Sequence, residues 1–462
     1  MTLELRVKTK AVLGKQFIGL RIVARFFKPQ KKQLTSEKQT FTINSMNHEG
    51  LGVTRVNNKV VFVEGALSGE TVQAKQLTNK SKFEKYQTVK VIEQSPFRVT
   101  PFCQHYQACG GCQLQHLDTQ QQITEKQAAV DKLFEKFANV SDLPWQLPLS
   151  SKPSHYRRSG RVAVIYDKKK DRFLVGYRQK QSKKIINIES CDVLVKPWQA
   201  VFTKIRNLLP DLNAGNTISH LQLCSVESGD YLIVRHTKPL KSKDVAELQQ
   251  VCHANNWQLV LNSEKGVFDS QETPYYLLDD YQLKLFFGFD NFIQVNADVN
   301  KAMLNQALNW LNLTREDKVL DLFCGIGNFT LPLATQCKEV VGVEGVASAI
   351  ELAKLNAKEN QLPNAGFYCQ DLTENIKSQD WFNREYSVLL LDPSRMGAFD
   401  ILTQLKLKRF SLILYVACDP VTMARDSKLL INAGFKVSKI SLMNMFPNTS
   451  HIETMALFEK EN

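Results

Sequence analysis

Val319-Leu320-Asp321-Leu322-Phe323-Cys324-Gly325-Ile326-Gly327-Asn328-Phe329 is the stretch on which the fold turns. An apolar run carrying one acid leads into Gly-x-Gly and then a helical pattern. The reading is strand, tight turn, helix, with glycines that let backbone approach a ligand closely. Seventeen residues after Gly327, Glu344 closes a second apolar run, Glu339 to Val343, where a carboxylate can accept both hydroxyls of a ribose. A phosphate-binding Gly-x-Gly-x-x-Gly would need a third glycine where Thr330 stands. Adenosylmethionine, which has no phosphate, therefore suits this turn better than a dinucleotide.

The alternation continues outward from the turn. A helix is expected over Ala347 to Asn360, a third strand ends near Asp371, and further strands lie near Val388 to Leu391 and Leu412 to Val416, which together describe a parallel α/β sheet. Asp371 is placed to meet an adenine, and Asp392, opening Asp392-Pro393-Ser394-Arg395, sits at the carboxyl edge where ligands lie in such sheets. Both are also ordinary turn formers. Cys418, in Tyr415-Val416-Ala417-Cys418-Asp419-Pro420, ends the next strand on the same edge. Most buried cysteines are small hydrophobes, but this position points to a thiol nucleophile. Glu453 precedes a final apolar strand, Met455 to Phe458, and is the carboxylate partner.

At 462 residues the chain has room for two or three cores. Short runs punctuated by turns from Gln39 to Gln94 (Thr40 to Ser45, Gly52 to Val56, Val60 to Glu64, Thr71 to Gln76, Tyr86 to Glu93) suggest a five-stranded barrel of the oligonucleotide-binding type. Within it, Asn79 to Tyr86 interleaves bases with aromatics, as a nucleic-acid groove or an ordinary hairpin loop would. A helix over Thr119 to Phe137 and strands at Leu221 to Ser225 and Tyr231 to His236 give a mixed α+β middle. The boundaries are 1–35 for a basic extension read as disordered, 36–97 for the barrel, 98–290 for the middle and 291–462 for the Rossmann-like domain, a multidomain α/β chain overall.

The formal charge is +13, and its placement is uneven: residues 152–184 hold twelve Lys or Arg against two acids, while 301–462 hold seventeen against eighteen. That reads as a polyanion-binding surface or as a lysine-rich solvated one. On the first reading Arg157, Arg158, Arg161, Lys168, Lys169 and Lys170 contact phosphates. The apolar runs are too short for a bilayer span, so no membrane partner is expected. Cys103, Cys109, Cys112 and Cys191 supply four soft ligands, which suit tetrahedral zinc or an iron-sulfur cluster.

Five motifs in order give the chain a family resemblance: Phe292-Ile293-Gln294-Val295-Asn296, Asp321 to Phe329, Asp392 to Arg395, Cys418-Asp419-Pro420 and Phe446 to Glu453. Over residues 39–462 it resembles the bacterial uracil-C5 RNA methyltransferases, in particular the branch acting on 23S ribosomal RNA. The resemblance implies that the barrel is a TRAM domain and that the middle carries a [4Fe-4S] cluster on Cys103, Cys109, Cys112 and Cys191. It further implies that Gln294, Phe323, Asn328, Glu344, Asp371 and Asp392 line the adenosylmethionine and base pocket, with Cys418 as nucleophile and Glu453 as base. The implied partner is 23S rRNA, with no DNA, for a cytoplasmic monomer. A dual-site rRNA enzyme, a non-catalytic assembly factor and a radical enzyme are the other readings; a fourth cysteine argues against the last, which needs an unligated iron.

The chemistry accounts for the residue types. Carbon 5 of uracil accepts a methyl group only after a thiolate adds to carbon 6, and a carboxylate must then remove the carbon-5 proton so that the thiol leaves. The base has to leave its stack to do so, which favours unpaired RNA. In the family Asn usually stands at Asp419 and often Ser at Ala417. A carboxylate beside the nucleophile is expected to raise its pKa unless Asp419 points away or pairs with Arg425.

Overall fold

The computed structural model describes residues 37–462 except Glu264, Gln271 and Asn462; the extension assigned to 1–35 lies outside the described residues. The first sheet has six strands: Lys38–Thr42, Ser45–Met46, Gly52–Val56, Lys59–Glu64, Thr71–Asn79 and Phe83–Glu93. The expected opening strand, Thr40 to Ser45, is instead two pieces that break at Ile43-Asn44. These pieces lie at opposite edges of the strand order although only two residues separate them. The chain can bridge both edges only if the sheet curls shut, which makes the barrel. Asn57 and Asn58 both take positive φ (48° and 62°), the hairpin geometry that asparagine tolerates. Tyr86 is a correction to the groove reading: it is 1% exposed and packs edge-on against Phe41 inside the barrel. The Asn79–Tyr86 tract is the hairpin between the last two strands, with Glu84 paired to Lys59 at 2.9 Å.

The middle segment forms a second, seven-stranded sheet that includes the expected strands as Ile218–Val226 and Gly229–His236, together with Ser159–Asp167 and Arg172–Arg178, and carries helices Val201–Leu208 and Ser242–His253. The helix Thr119–Ala138 starts where the Asp118 side chain accepts the amides of Gln120 and Gln121. Its buried Ile123, Val130 and Phe134 share one core with Leu320, Leu322 and Tyr415, so it packs as part of the C-terminal layer. Among the described residues no helix is long and apolar enough to cross a membrane.

The C-terminal sheet has seven strands: Lys318–Leu322, Glu339–Glu344, Ala365–Cys369, Val388–Leu391, Leu412–Ala417, Phe435–Met443 and Glu453–Lys460. Counted in chain order, they lie side by side as 3-2-1-4-5-7-6. The first five are parallel, but the seventh runs antiparallel between the fifth and the sixth, so the sheet is mixed and not wholly parallel. One face packs against helix Ala297–Leu311 through residues such as Val319, Leu390, Val416 and Met455. The opposite face packs under Thr119–Ala138 and Pro420–Asn432.

Candidate active site

Strand direction brings Cys418 and Glu453 together. Leu412–Ala417 leaves the sheet at its carboxyl end, while Glu453–Lys460 enters it there, because Ala417 pairs with Thr454. One step further along that register sets Cys418 opposite Glu453. Had the last strand been parallel, Glu453 would lie at the far edge, about 20 Å away over six residues. Side chains two apart share a face. Asp321, Asp392, Cys418 and Glu453 therefore all follow Val319, Leu390, Val416 and Met455 onto the face that carries helix Ala297–Leu311.

Charge is concentrated at this edge. Burial pushes the half-buried Cys418 thiol up to about 12, and Glu453 and Asp392 add to the shift while Arg395 opposes it. At pH 7 only about one thiol in 10⁵ is then ionised. Burial raises Asp392 to about 7. Glu453 is raised to about 8, first by burial and then by Asp392, against Arg395 and Lys126. Arg395 and Lys126 were not singled out from sequence. Asp392-Pro-Ser-Arg395 carried the first, but nothing in a helical pattern distinguishes a buried lysine from a solvated one.

The glycine turn makes the adjoining cradle. Gly325 and Gly327 have φ of 54° and 95°, and a side chain added at Gly325 would point into open space, which is room for a ligand. Phe323 is also left-handed, at 67°, a strain of roughly 1–2 kcal/mol held at the site. Glu344 Oε2 accepts the Gly325 amide at 3.4 Å and Oε1 the Val346 amide at 3.0 Å. Asp321 is raised to about 8 by burial; Thr330 donates to its Oδ2 at 2.5 Å and its buried Oδ1 has no partner among the described residues. An orphaned buried oxygen beside an open turn fits a polar cofactor group. Asn328 is tied into the scaffold, accepting from Tyr276 at 2.9 Å and exchanging bonds with Asn300. The backbone carbonyl of Gln294 is held by Arg158 Nε at 2.8 Å. Asp371 lies two residues past its strand, exposed; Thr373 caps its Oδ1 through hydroxyl and amide, which hold its carboxyl low. Its neighbour Gln370 bonds to the Glu344 carbonyl, so Asp371 remains beside Glu344.

Asp419 points away from the thiol and does not pair with Arg425. Its Oδ1 accepts the amides of Val421 and Thr422 as the N-cap of Pro420–Asn432, and Arg425 binds Asp426 at 2.7 Å. Asp followed by Pro at the first helical position is a cap signal that the sequence did offer. Arg158 is a correction too. It is 5% exposed and stacked 4.9 Å from the Tyr276 ring, so it supports the Gln294 loop and is no surface phosphate contact. Lys168, Lys169 and Lys170 are exposed at a hairpin tip.

The four outlying thiols converge. Cys112 is pushed up to about 12 by burial, with Gln115 opposing and Cys191, Cys109 and Cys103 adding. Cys191 reaches about 11 through burial, with Cys103 and Cys109 contributing. The loop is pinned by Gly110 to Arg178 and Lys180 to Ala108 backbone bonds, both 2.9 Å, and the Gly111 amide donates to Cys109 Sγ at 3.4 Å. Among the described residues no group of three or more His, Cys, Asp or Glu stands as a site for a metal ion.

Residues 118–461 match the tRNA (uracil-5-)-methyltransferase family, and residues 32–75 match the TRAM domain. The chain belongs to that methyltransferase family. It is 52% identical over 440 residues, 95% of this chain and 100% of the relative, to the 23S rRNA (uracil(1939)-C(5))-methyltransferase RlmD of Pseudoalteromonas translucida. It is 40% identical over 441 residues, again 95% and 100%, to the protein of that name from Aliivibrio fischeri. The solved tRNA (uracil-54, C5)-methyltransferase of Pyrococcus abyssi, in complex with S-adenosyl-L-homocysteine, shares the fold. Its TM-score is 0.71 at 20% identity, over 91% of this chain and 99% of that one.

Proposed function

We propose that this protein methylates carbon 5 of a uridine in 23S rRNA, with adenosylmethionine as methyl donor, in the cytoplasm. The position of the uridine follows the relatives named for uracil 1939. What carries the reading is the juxtaposition of Cys418 and Glu453 at the strand edge next to the Gly325–Gly327 turn. In it Cys418 Sγ adds to carbon 6, which makes carbon 5 the nucleophile for the methyl group. Glu453 then takes the carbon-5 proton, and those electrons restore the ring double bond as the carbon–sulfur bond breaks. Glu344 and Asp371 hold the ribose and adenine ends, Asp321, Phe323 and Asn328 shape the turn, and Gln294 with Asp392 faces the base. Mass-spectrometric mapping of 5-methyluridine in 23S rRNA, with and without the gene, tests the whole reading; loss of no methyl group defeats it.

Because Glu453 is raised to about 8, its base form is depleted below that pH. Product release from the covalent adduct is expected to rise with pH and level off above about 8. A flat single-turnover profile between about pH 6 and 9 contradicts this.

The [4Fe-4S] cluster is proposed on Cys103, Cys109, Cys112 and Cys191. Support comes from four converging thiols and an amide donor to sulfur, since a multi-iron cluster holds its thiolates farther apart than a single ion does. Bound there, the cluster would cross-link the loop to the middle sheet. Anaerobically purified protein is expected to be brown and to hold about four irons; stoichiometric zinc without iron overturns the assignment. For RNA affinity, neutralising Lys168, Lys169 and Lys170 together should lower the log–log salt slope by up to about 2 and leave adenosylmethionine affinity alone. An unchanged slope makes that hairpin a solvated tip.

A further inference from the structure

We infer that Lys126 is a positioning residue for the reaction, a buried amine whose positive charge favours the carboxylate of Glu453, the form that removes the carbon-5 proton. This inference rests on the reading of Glu453 as the base. Lys126 lies on the helix Thr119–Ala138 and is 4% exposed. A lysine is almost never buried to that extent without an anionic partner. The hydrogen bond it makes among the described residues runs from Nζ to Asn444 Oδ1, 3.1 Å, and an ammonium has two further donors. Asn444 follows Met443, the residue that pairs with Glu453 across the sheet. The ammonium thus sits at the root of the base.

One turn earlier on the same helix, Gln122 fixes the loop that delivers Glu453. Fully buried, it donates to Leu114 O, Leu117 O and Asn448 Oδ1 and accepts the Asn448 amide at 2.9 Å. Lys126 and Gln122 together clasp residues 444–448 from one helix face.

The groups around Glu453 set the sign. Asp392 and Arg395 face it from the loop after Val388–Leu391, Cys418 from the nucleophile strand, His451 from its own loop and Lys126 from the helix. Burial and Asp392 favour the protonated acid, and Arg395 and Lys126 favour the carboxylate. Burial in turn drives Lys126 down, with the Glu453 carboxylate holding it up. Arg395 belongs to the loop that faces the base pocket. Lys126 is a cation built into the scaffold behind the carboxylate, whereas the Cys418 thiol is shifted mainly by burial, Glu453, Asp392 and Arg395.

The test separates two steps in single-turnover experiments on the full chain from about pH 6 to 9. Covalent capture of 5-fluorouridine RNA reads Cys418 attack and methyl transfer; release of methylated RNA from unmodified substrate reads proton removal. Lys126→Met is expected to capture at the wild-type rate but to release about tenfold more slowly at pH 7, as a shift of one unit in the base implies. Its release midpoint should move up in pH, so that the deficit narrows to about twofold near pH 9. Lys126→Arg, which keeps the charge, should hold the wild-type midpoint, and Lys126→Gln repeats the measurement should the methionine variant fold poorly. A wild-type midpoint in both neutral variants overturns the inference, as does equal slowing of capture and release. Glu453→Gln is run alongside: if it too releases product at the wild-type rate, the base assignment itself has failed, whereas trapping there with an unshifted Lys126→Met refutes only the role of Lys126.

Discussion

With Cys418→Ala, no covalent complex forms between the protein and 5-fluorouridine RNA, and turnover falls by at least on the order of 10³-fold. Fluorine cannot leave carbon 5 as a proton, so the wild-type adduct accumulates after methyl transfer and survives denaturing electrophoresis. The effect should be this large because no second thiol can take over. Cys324 lies 6% exposed beneath the glycine turn, where burial drives its thiol well above the ordinary range. Cys369 is exposed but ends the third strand, four places from the fifth in the sheet order, next to Gly345. Any adduct retained by Cys418→Ala sinks the nucleophile assignment.

Glu453→Gln is expected to do the reverse, because the role proposed for Glu453 comes after methyl transfer. Cys418 still attacks and the methyl group still moves, but the carbon-5 proton stays, so the enzyme is trapped on its methylated RNA even with ordinary uridine. Release should slow by about 10² to 10⁴-fold. Labelled methyl in a protein–RNA band, chased only slowly into free RNA, is the readout. Unlabelled protein with free methylated RNA at the wild-type rate removes Glu453 from the mechanism.

Much of this was legible in the chain. Lys318–Leu322 and Val388–Leu391 fall where expected, because central parallel strands buried on both faces read as continuous apolar runs. Phe435–Met443 was not foreseen. Its first half is partly exposed and mixes lysine and serine with apolar residues, so neither period stands out. Nor does the direction of Glu453–Lys460 follow from its composition, since pairing is decided by its neighbours. Arg158 misled because counting charge gives sign without depth: the same twelve bases include exposed lysines at a tip and one guanidinium under the Gln294 loop. Lys126 was invisible for the same reason. Asp419 was readable as a cap and was weighed only as a charge.

The antiparallel seam between Leu412–Ala417 and Glu453–Lys460 has a consequence for how such a chain can drift. Along the last strand Met455 and Leu457 serve one core, and Ala456 and Phe458 the other. Deleting or inserting a single residue there would exchange the two sets and swing Glu453 to the opposite face. Conservative replacements within the strand leave the reactive pair where it is. Changes of length are barred twice over, by the packing and by the chemistry, so a frame of fixed residue count should outlast the identity of the side chains that fill it.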